Sequence, residues 1–310
     1  MTRFLFASDL HGDLGKYRAL VNHCNSQEID ALLIGGDLVD GDVNVEGQEK
    51  KVSQHAAFIN ESLEEVLSEE EREVMGKVQN EEQRQHVMAR AFKKYRTAIK
   101  KGFRKRVEEK ELSLIKKILA EYPGPKVVSS GNHDPNFVRE YLGNEAKYVD
   151  DCIVTIKGVK IAGGCASYEP SAAALHFPEF FPHTQNYNST RDEKISQEDF
   201  SRADGHEPAQ IYLWHRGVTD RFSPDRADAG NTHDYHARRL VEIARAKGED
   251  PLVLSGHFHS LDGGREKGVT QLRAGPDYVY EFVYDPGRKR LTEIIVYKYA
   301  GEQEVARKAA

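Results

Sequence analysis

Five short segments of this 310-residue chain place Asp, Asn and His directly after apolar runs. They read Ser8-Asp9-Leu10-His11-Gly12-Asp13, Gly35-Gly36-Asp37-Leu38-Val39-Asp40, Gly131-Asn132-His133-Asp134, Trp214-His215 and Gly256-His257-Phe258-His259. Each segment alone is a weak signal. Asp-x-His can be a turn residue beside a surface histidine, and Asn-His-Asp can cap a helix ahead of Pro135. Gly-His-Phe-His is more pointed, because alternate residues of an extended chain project the same way and present two imidazoles together. The five together point to metal, since burying so many carboxylates and imidazoles without a cation is costly. Carboxylate, imidazole and amide donors without thiolate suit Mn, Fe, Zn, Ni or Mg, with Mn placed first, rather than a structural zinc site. Two such ions about 3.5–4 Å apart can lower the pKa of a water and clamp a phosphoryl group, with one carboxylate bridging them.

The elements that must position these residues begin as alternating strands and helices. Arg3–Ser8, Ala31–Gly36 and Lys126–Ser130 are short apolar runs, and a helix is predicted around Lys16–Asn25. Such runs alternating with helices suggest an α/β layer whose strands are buried on both faces. Ligands then gather at the carboxyl ends of the strands. Further along, Ile153–Ile156, Val159–Gly163, Ile211–Trp214, Leu252–Ser255, Gln271–Ala274, Val279–Tyr284 and Leu291–Tyr297 read as strands, with a helix over about Tyr235–Lys247. The stretch 166–208 is long and irregular, and loops of that length are usually functional.

Residues 46–122 differ from the rest. They hold no Pro and are dense in Glu, Lys, Arg and Gln, with apolar residues at helical spacing at Ile59, Leu63, Val66 and Leu67 and at Phe92, Tyr95, Ile99 and Phe103. The pattern predicts a charged helical insertion of two long helices broken near Gly76–Asn80, then a helix over about Glu108–Tyr122, closed by Pro123-Gly124-Pro125. Glu61–Glu73 carries seven glutamates, while Lys93–Val107 carries eight Lys or Arg and no acid. The favoured reading is that the two faces pair in a hairpin or across a homodimer; the alternative is a cationic arm that gathers phosphate.

Composition sets the outer bounds. A net charge of −6 argues against a surface built for a polyanion, and no apolar run reaches the length of a membrane span. Asp9 interrupts the first apolar run too early for a secretory signal, so that run is read as a buried strand. Cys24, Cys152 and Cys165 are widely spaced without CxxC, so no disulfide framework is indicated, Cys152 and Cys165 are read as small core residues, and the cytosol is the expected compartment. Asn188-Ser189-Thr190 is an incidental glycosylation match. Residues 1–300 are taken as one domain with 46–122 inserted, and 301–310 as a frayed tail.

The ordered set Asp9-x-His11, Gly36-Asp37, Gly131-Asn132-His133-Asp134, His215 and Gly256-His257-x-His259 resembles the calcineurin-like metallophosphoesterase family. The resemblance spans Asp9 to His259. It implies a four-layer α/β/β/α sandwich of two mixed β-sheets. It further implies that Asp9, His11, Asp37 and His259 hold one metal, and that Asp37, Asn132, His215 and His257 hold the other. A metal-bridging hydroxide would be the in-line nucleophile, His133 would protonate or stabilise the leaving group, and Asp134 would orient His133. His176, His183, His206 and His233 compete with His215, which is preferred because it directly follows a strand. His23, His55 and His86 fall in helical sequence and are given no role. The second motif continues Leu38-Val39-Asp40-Gly41-Asp42 without the arginine of the protein phosphatases, which counts against that activity; Arg191, Arg216 or Arg221 could substitute.

Three functions follow from these readings. The first is a phosphodiesterase or phosphomonoesterase acting on a small, nucleotide-like molecule. The second is a nuclease guided by Lys93–Arg106. The third, ranked last because every expected ligand position is filled, is a non-catalytic scaffold that binds a protein through the insertion.

Overall fold

The computed structural model describes residues 1–44, 51–77, 80–150, 152–164, 172–181, 209–215, 246, 248, 251–257, 259–266 and 269–299. In chain order the elements are β1 (Thr2–Ala7), α1 (Leu14–Ser26), β2 (Ala31–Ile34), β3 (Asp42–Asn44), β4 (Lys51–Ser53), α2 (Gln54–Val66), α3 (Glu69–Lys77) and α4 (Glu81–Arg106). A π-helical turn (Val107–Leu112) runs on into α5 (Ser113–Ala120), followed by β5 (Lys126–Val128), α6 (Phe137–Leu142), β6 (Lys147–Tyr148), β7 (Val154–Ile156), β8 (Val159–Gly164) and α7 (Ala172–His176). The remaining strands are β9 (Ile211–Trp214), β10 (Leu252–Ser255), β11 (Asp262–Glu266), β12 (Val269–Arg273), β13 (Tyr278–Asp285) and β14 (Arg290–Lys298).

Two mixed sheets of six strands carry the architecture, in the orders β14-β13-β1-β2-β5-β6 and β11-β12-β10-β9-β8-β7. In the first, β1, β2, β5 and β6 are parallel, with β13 antiparallel to β1 and β14 antiparallel to β13 at one edge. In the second, β8, β9, β10 and β12 are parallel and both edge strands antiparallel. Alternation along β1 explains the layering. Phe4 and Phe6 join Leu33, Val127, Ile211, Leu213, Leu252 and Leu254 between the sheets, while Leu5 and Ala7 turn to the helical side with Leu20, Ile115 and Phe137. Each large apolar side chain buried this way contributes roughly 1.5–3 kcal/mol. The far face of the second sheet carries a smaller cluster of Tyr212, Trp214, Val253 and Val269. The helix expected over Tyr235–Lys247, the irregular stretch 166–208 and its Asn188-Ser189-Thr190, and the tail 301–310 lie outside the described residues, apart from residue 246 and residues 172–181 about α7.

Between β2 and β5 the helical pattern is seen with a changed division. Leu67–Ser68 splits the first predicted helix, and Ser68 with Glu71 forms a capping box: Ser68 N donates to Glu71 Oε2 (2.9 Å) and Glu71 N to Ser68 Oγ (3.3 Å). The second helix does not stop before Glu108; it passes through the π-helical turn directly into α5. Its apolar stripe is buried as the spacing requires, with Ile99 and Phe103 fully inside. The charges meet within the chain. Lys94 pairs with Glu71, Arg96 and Lys100 with Glu179, Arg104 with Glu108 and Glu140, Lys105 with Glu109, and Arg106 with Glu61 and Glu65. Exposed pairs of this kind add little stability, but they occupy the cations that an anion-gathering arm would need.

One cysteine differs from its sequence reading. Cys152 is exposed, because β7 begins only at Val154, and its thiol donates to Tyr148 O (2.9 Å). Cys24 is buried in α1, and Cys165 lies outside the described residues. No helix among the described residues is long and apolar enough to cross a membrane.

Candidate metal centre

Asp9 and His11 follow β1, Asp37 follows β2 and Asn132 follows β5, so one parallel edge of the first sheet carries three of the five motifs. His215 follows β9 and His257 and His259 follow β10, neighbouring parallel strands of the second sheet. Backbone hydrogen bonds lock the loops together: Asp9 N to Gly36 O (3.1 Å), His11 N to Asp37 O (2.8 Å) and Gly256 N to His215 O (2.9 Å). Close approach explains two glycines. A Cβ at Gly131 would overlap the Asp37 carboxylate, and one at Gly256 would overlap Ser8 Oγ and the Asp9 carboxylate. Asp9, His11, Asp37, Asp40, His257 and His259 all have left-handed backbones, with φ between 46° and 70°. Non-glycine residues rarely hold such φ values without being over-determined by their surroundings, and they cluster at functional sites.

Among the described residues two ligand groups emerge, Asp9 with His11 and His259, and Asp9 with Asp37 and His215, each with donor atoms within 4.8 Å of one another. In the first, His11 Nε2 and His259 Nε2 face each other at 3.2 Å, and Asp37 Oδ2 is 3.8 Å from His11 Nε2. In the second, His215 donates from Nδ1 to Gly35 O (2.8 Å), which aims Nε2 at Asp37 Oδ2 (3.1 Å) and Asn132 Oδ1 (3.0 Å). Backbone orientation of a ligating imidazole through its other nitrogen is the usual arrangement in metal sites. His257 belongs to neither group; its ring meets that of His215 edge-on with centroids 5.2 Å apart, and its N–H donates to both Asp9 oxygens. His176 lies elsewhere, its ring against Phe92, while His183, His206, His233, Arg191, Arg216 and Arg221 lie outside the described residues.

Electrostatics show a cluster short of positive charge. Burial, reinforced by the charge of Asp37, pushes the Asp9 carboxyl up to about 7 against the pull of His215. Burial also pushes Asp37 up, but His215 and His133 outweigh it and hold that carboxyl well below the usual range. In turn Asp37 overcomes burial at His215 and raises it to about 9. Protons thus do within the cluster what cations would do better. Facing imidazole nitrogens, buried carboxylates and an all-N/O donor set fit divalent metal.

The carboxylate that meets His133 is Asp40, not Asp134 as the resemblance implied. His133 Nδ1 donates to Asp40 Oδ2 at 2.7 Å, and His133 N to Asp37 Oδ1 at 2.9 Å. Asp134 is buried and faces the backbone instead. Its Oδ1 accepts from Leu38 N (2.7 Å) and Val39 N (3.2 Å) and its Oδ2 from Gly131 N (2.9 Å), tying the second motif to the third. Asp40 was visible in the sequence as the last residue of Gly-Asp-x-x-Asp, without a role. His55, set aside as an ordinary helical residue, is fully buried beside it, with Nδ1 3.7 Å from Asp40 Oδ2. Nothing in the sequence singled out its partner Glu111.

The family model of calcineurin-like phosphoesterases matches residues 2–75. That stretch is similar to the family, and both motifs bearing Asp9, His11 and Asp37 fall inside it. No curated protein matches it in sequence. A solved crystal structure 11% identical aligns over 96% of this chain and 99% of its own with a TM-score of 0.51, which extends the likeness in fold across nearly the whole chain. The TT1561 protein of Thermus thermophilus aligns over 96% and 99% at 13% identity, TM-score 0.49. A phosphopantetheinyl hydrolase of Mycobacterium tuberculosis aligns over 89% and 90% at 11% identity, TM-score 0.43.

Proposed function

We propose that the chain hydrolyses a phosphodiester or phosphomonoester of a small, nucleotide-like molecule at a centre of two divalent cations, Mn first among them, in the cytosol. The observation that carries this reading is the pair of ligand groups that share Asp9 and lie at four strand ends. Asp9, His11 and His259 would hold one ion, and His215, Asn132 and His257 the other, with Asp37 set between His11 and His215. When bound, such a pair lowers the pKa of a water and neutralises phosphoryl charge.

The chain's own residues supply the rest. His133 is partly exposed at the edge of the cluster, its ring 5.2 Å from that of His11. With Nδ1 committed to Asp40, its Nε2 is the nitrogen that hands a proton to the leaving oxygen. Asp134 keeps the loops bearing Asp37 and Asn132 in register. The pairing of most cations in Lys93–Arg106 favours a small substrate over nucleic acid.

Elemental analysis combined with hydrolysis of bis-p-nitrophenyl phosphate and a nucleotide panel tests the proposal. Asp37→Ala should lose bound metal and all turnover. His133→Ala should keep its metal while turnover falls by about 10²-fold or more. An Asp37→Ala protein with full metal and full activity would sink it.

A further inference from the structure

The helical segment between β2 and β5 does more than cover the first sheet: it supplies the surroundings of Asp40. The Asp40 carboxylate sits at the N-terminus of α2. Its Oδ1 accepts from the Ser53 hydroxyl (2.6 Å), where Ser53 is the N-cap of α2, and from His55 N (2.8 Å). A carboxylate there is favoured by the unpaired N–H groups and the helix dipole. Its Oδ2 holds His133.

Behind it stands a second layer. Glu111, only 3% exposed, lies in the π-helical turn between α4 and α5, and such turns recur at functional sites. Its Oε1 accepts from the backbone N–H of Asp40 (3.3 Å), and its Oε2 pairs with His55 Nε2 (3.3 Å). Glu111 therefore holds Asp40 directly at the backbone, and it also holds the ring of His55, the residue whose backbone N–H bonds Asp40 Oδ1 and whose Nδ1 faces Asp40 Oδ2 at 3.7 Å without a hydrogen bond. The His55 ring is packed edge-on against Phe103, at 90° with centroids 5.2 Å apart, which fixes its plane.

A buried acid–imidazole–acid array is a poor stabiliser. Well-packed apolar residues in its place are often neutral or better, so a positioning role is the stronger account of it. We propose that His55 and Glu111 are positioning residues for the proton donor, forming the chain Glu111–His55–Asp40–His133 through which the helical segment sets the aim of His133. This rests on the reading of His133 as the group that protonates the leaving oxygen.

The test uses leaving groups. A proton donor matters most when the departing oxygen is basic, so its loss should weigh more heavily on diphenyl phosphate than on bis-p-nitrophenyl phosphate. Kinetics of Glu111→Gln and His55→Gln are measured on both substrates, beside His133→Ala, with metal content and melting temperature recorded. Glu111→Gln keeps the shape of the site and loses the charge, while His55→Gln removes the ring that packs on Phe103. Removing an outer partner of a site residue commonly costs about 10–100-fold in activity. We expect kcat to fall about tenfold further on diphenyl phosphate than on the nitrophenyl ester, with KM and bound metal unchanged, and His133→Ala to show the same bias more strongly. Equal losses on both substrates, or none, in the Gln variants while His133→Ala keeps its bias would overturn the relay alone. An unbiased His133→Ala would overturn the relay together with the proton-donor role.

Discussion

Gly256→Ala probes a tight backbone contact that helps to join the two sheets at the centre. Gly256 follows β10 and lies against Ser8 and Asp9 at the end of β1, and its own φ is not in the left-handed region, so an added methyl acts by size alone. The new Cβ would stand 2.6 Å from Ser8 Cβ and overlap both Ser8 Oγ and Asp9 Oδ2. Carbon atoms settle at about 3.5–4.0 Å, so one of the two loops must retreat by about 1 Å. Both are held, Ser8 by its hydroxyl on Gly35 O (2.9 Å) and Gly256 by His215 O, so relaxation disturbs either neighbour. Overpacking of this kind costs about 1–3 kcal/mol in stability. A displacement of about 1 Å at a catalytic centre can cost 10²-fold in rate. The expected outcome is a folded protein with a melting temperature several degrees lower, weakened metal binding and hydrolysis of bis-p-nitrophenyl phosphate reduced about 100-fold. Gly76→Ala is the control: nothing lies within 4 Å of a Cβ there, towards the end of α3, and alanine should be neutral or slightly stabilising. Wild-type metal content and turnover in Gly256→Ala would show that the Ser8–Asp9 loop is not fixed by this contact.

Two further outcomes follow from the charges. Because Asp9 is pushed up to about 7 and His215 to about 9 in the metal-free protein, both carry protons at pH 6 that ligation must release. Apparent affinity for Mn should therefore rise with pH, at least tenfold per unit between about pH 6 and 7 by calorimetric titration, and a flat response would contradict it. Because six cations of α4 (Lys94, Arg96, Lys100, Arg104, Lys105 and Arg106) are paired with Glu61, Glu65, Glu71, Glu108, Glu109, Glu140 and Glu179, KM for a small phosphodiester should change less than about twofold between low and high salt. A steep rise of KM with salt would restore the anion-gathering arm.

The strand ends were legible because β1, β2 and β5 are buried on both faces. Their apolar runs have no reason to stop at Asp9, Asp37 and Asn132 except a change in what the chain must do. The lone His215 was legible for the same reason, directly after the fully buried β9. What the residue pattern could not show is which carboxylate turns toward which imidazole. Asp40 and Asp134 are both buried at the ends of their motifs, and the choice between them is made by backbone geometry. The φ of 70° at Asp40 swings its carboxylate onto His133, while the tight turn closed by Asp134 N on Gly131 O aims Asp134 at three backbone N–H groups.

The same limit hid Glu111, and here the cause is helical periodicity. Across residues 81–120 the chain is one helical run with a π turn inside it, and five residues per hydrogen-bonded step there displace every later side chain from the face a regular 3.6-residue repeat assigns. Counted from Ile99 and Phe103 on a regular helix, Glu111 is one more acid in a charged stretch; in the fold it lies inside, against His55 and the backbone of Asp40. A buried charge that breaks the pattern of its own helix is where local preference has yielded to another requirement. The nearest candidate for that requirement is the aim of His133, because both polar contacts from Glu111 lead, directly or through one ring, to the residue whose carboxylate holds it.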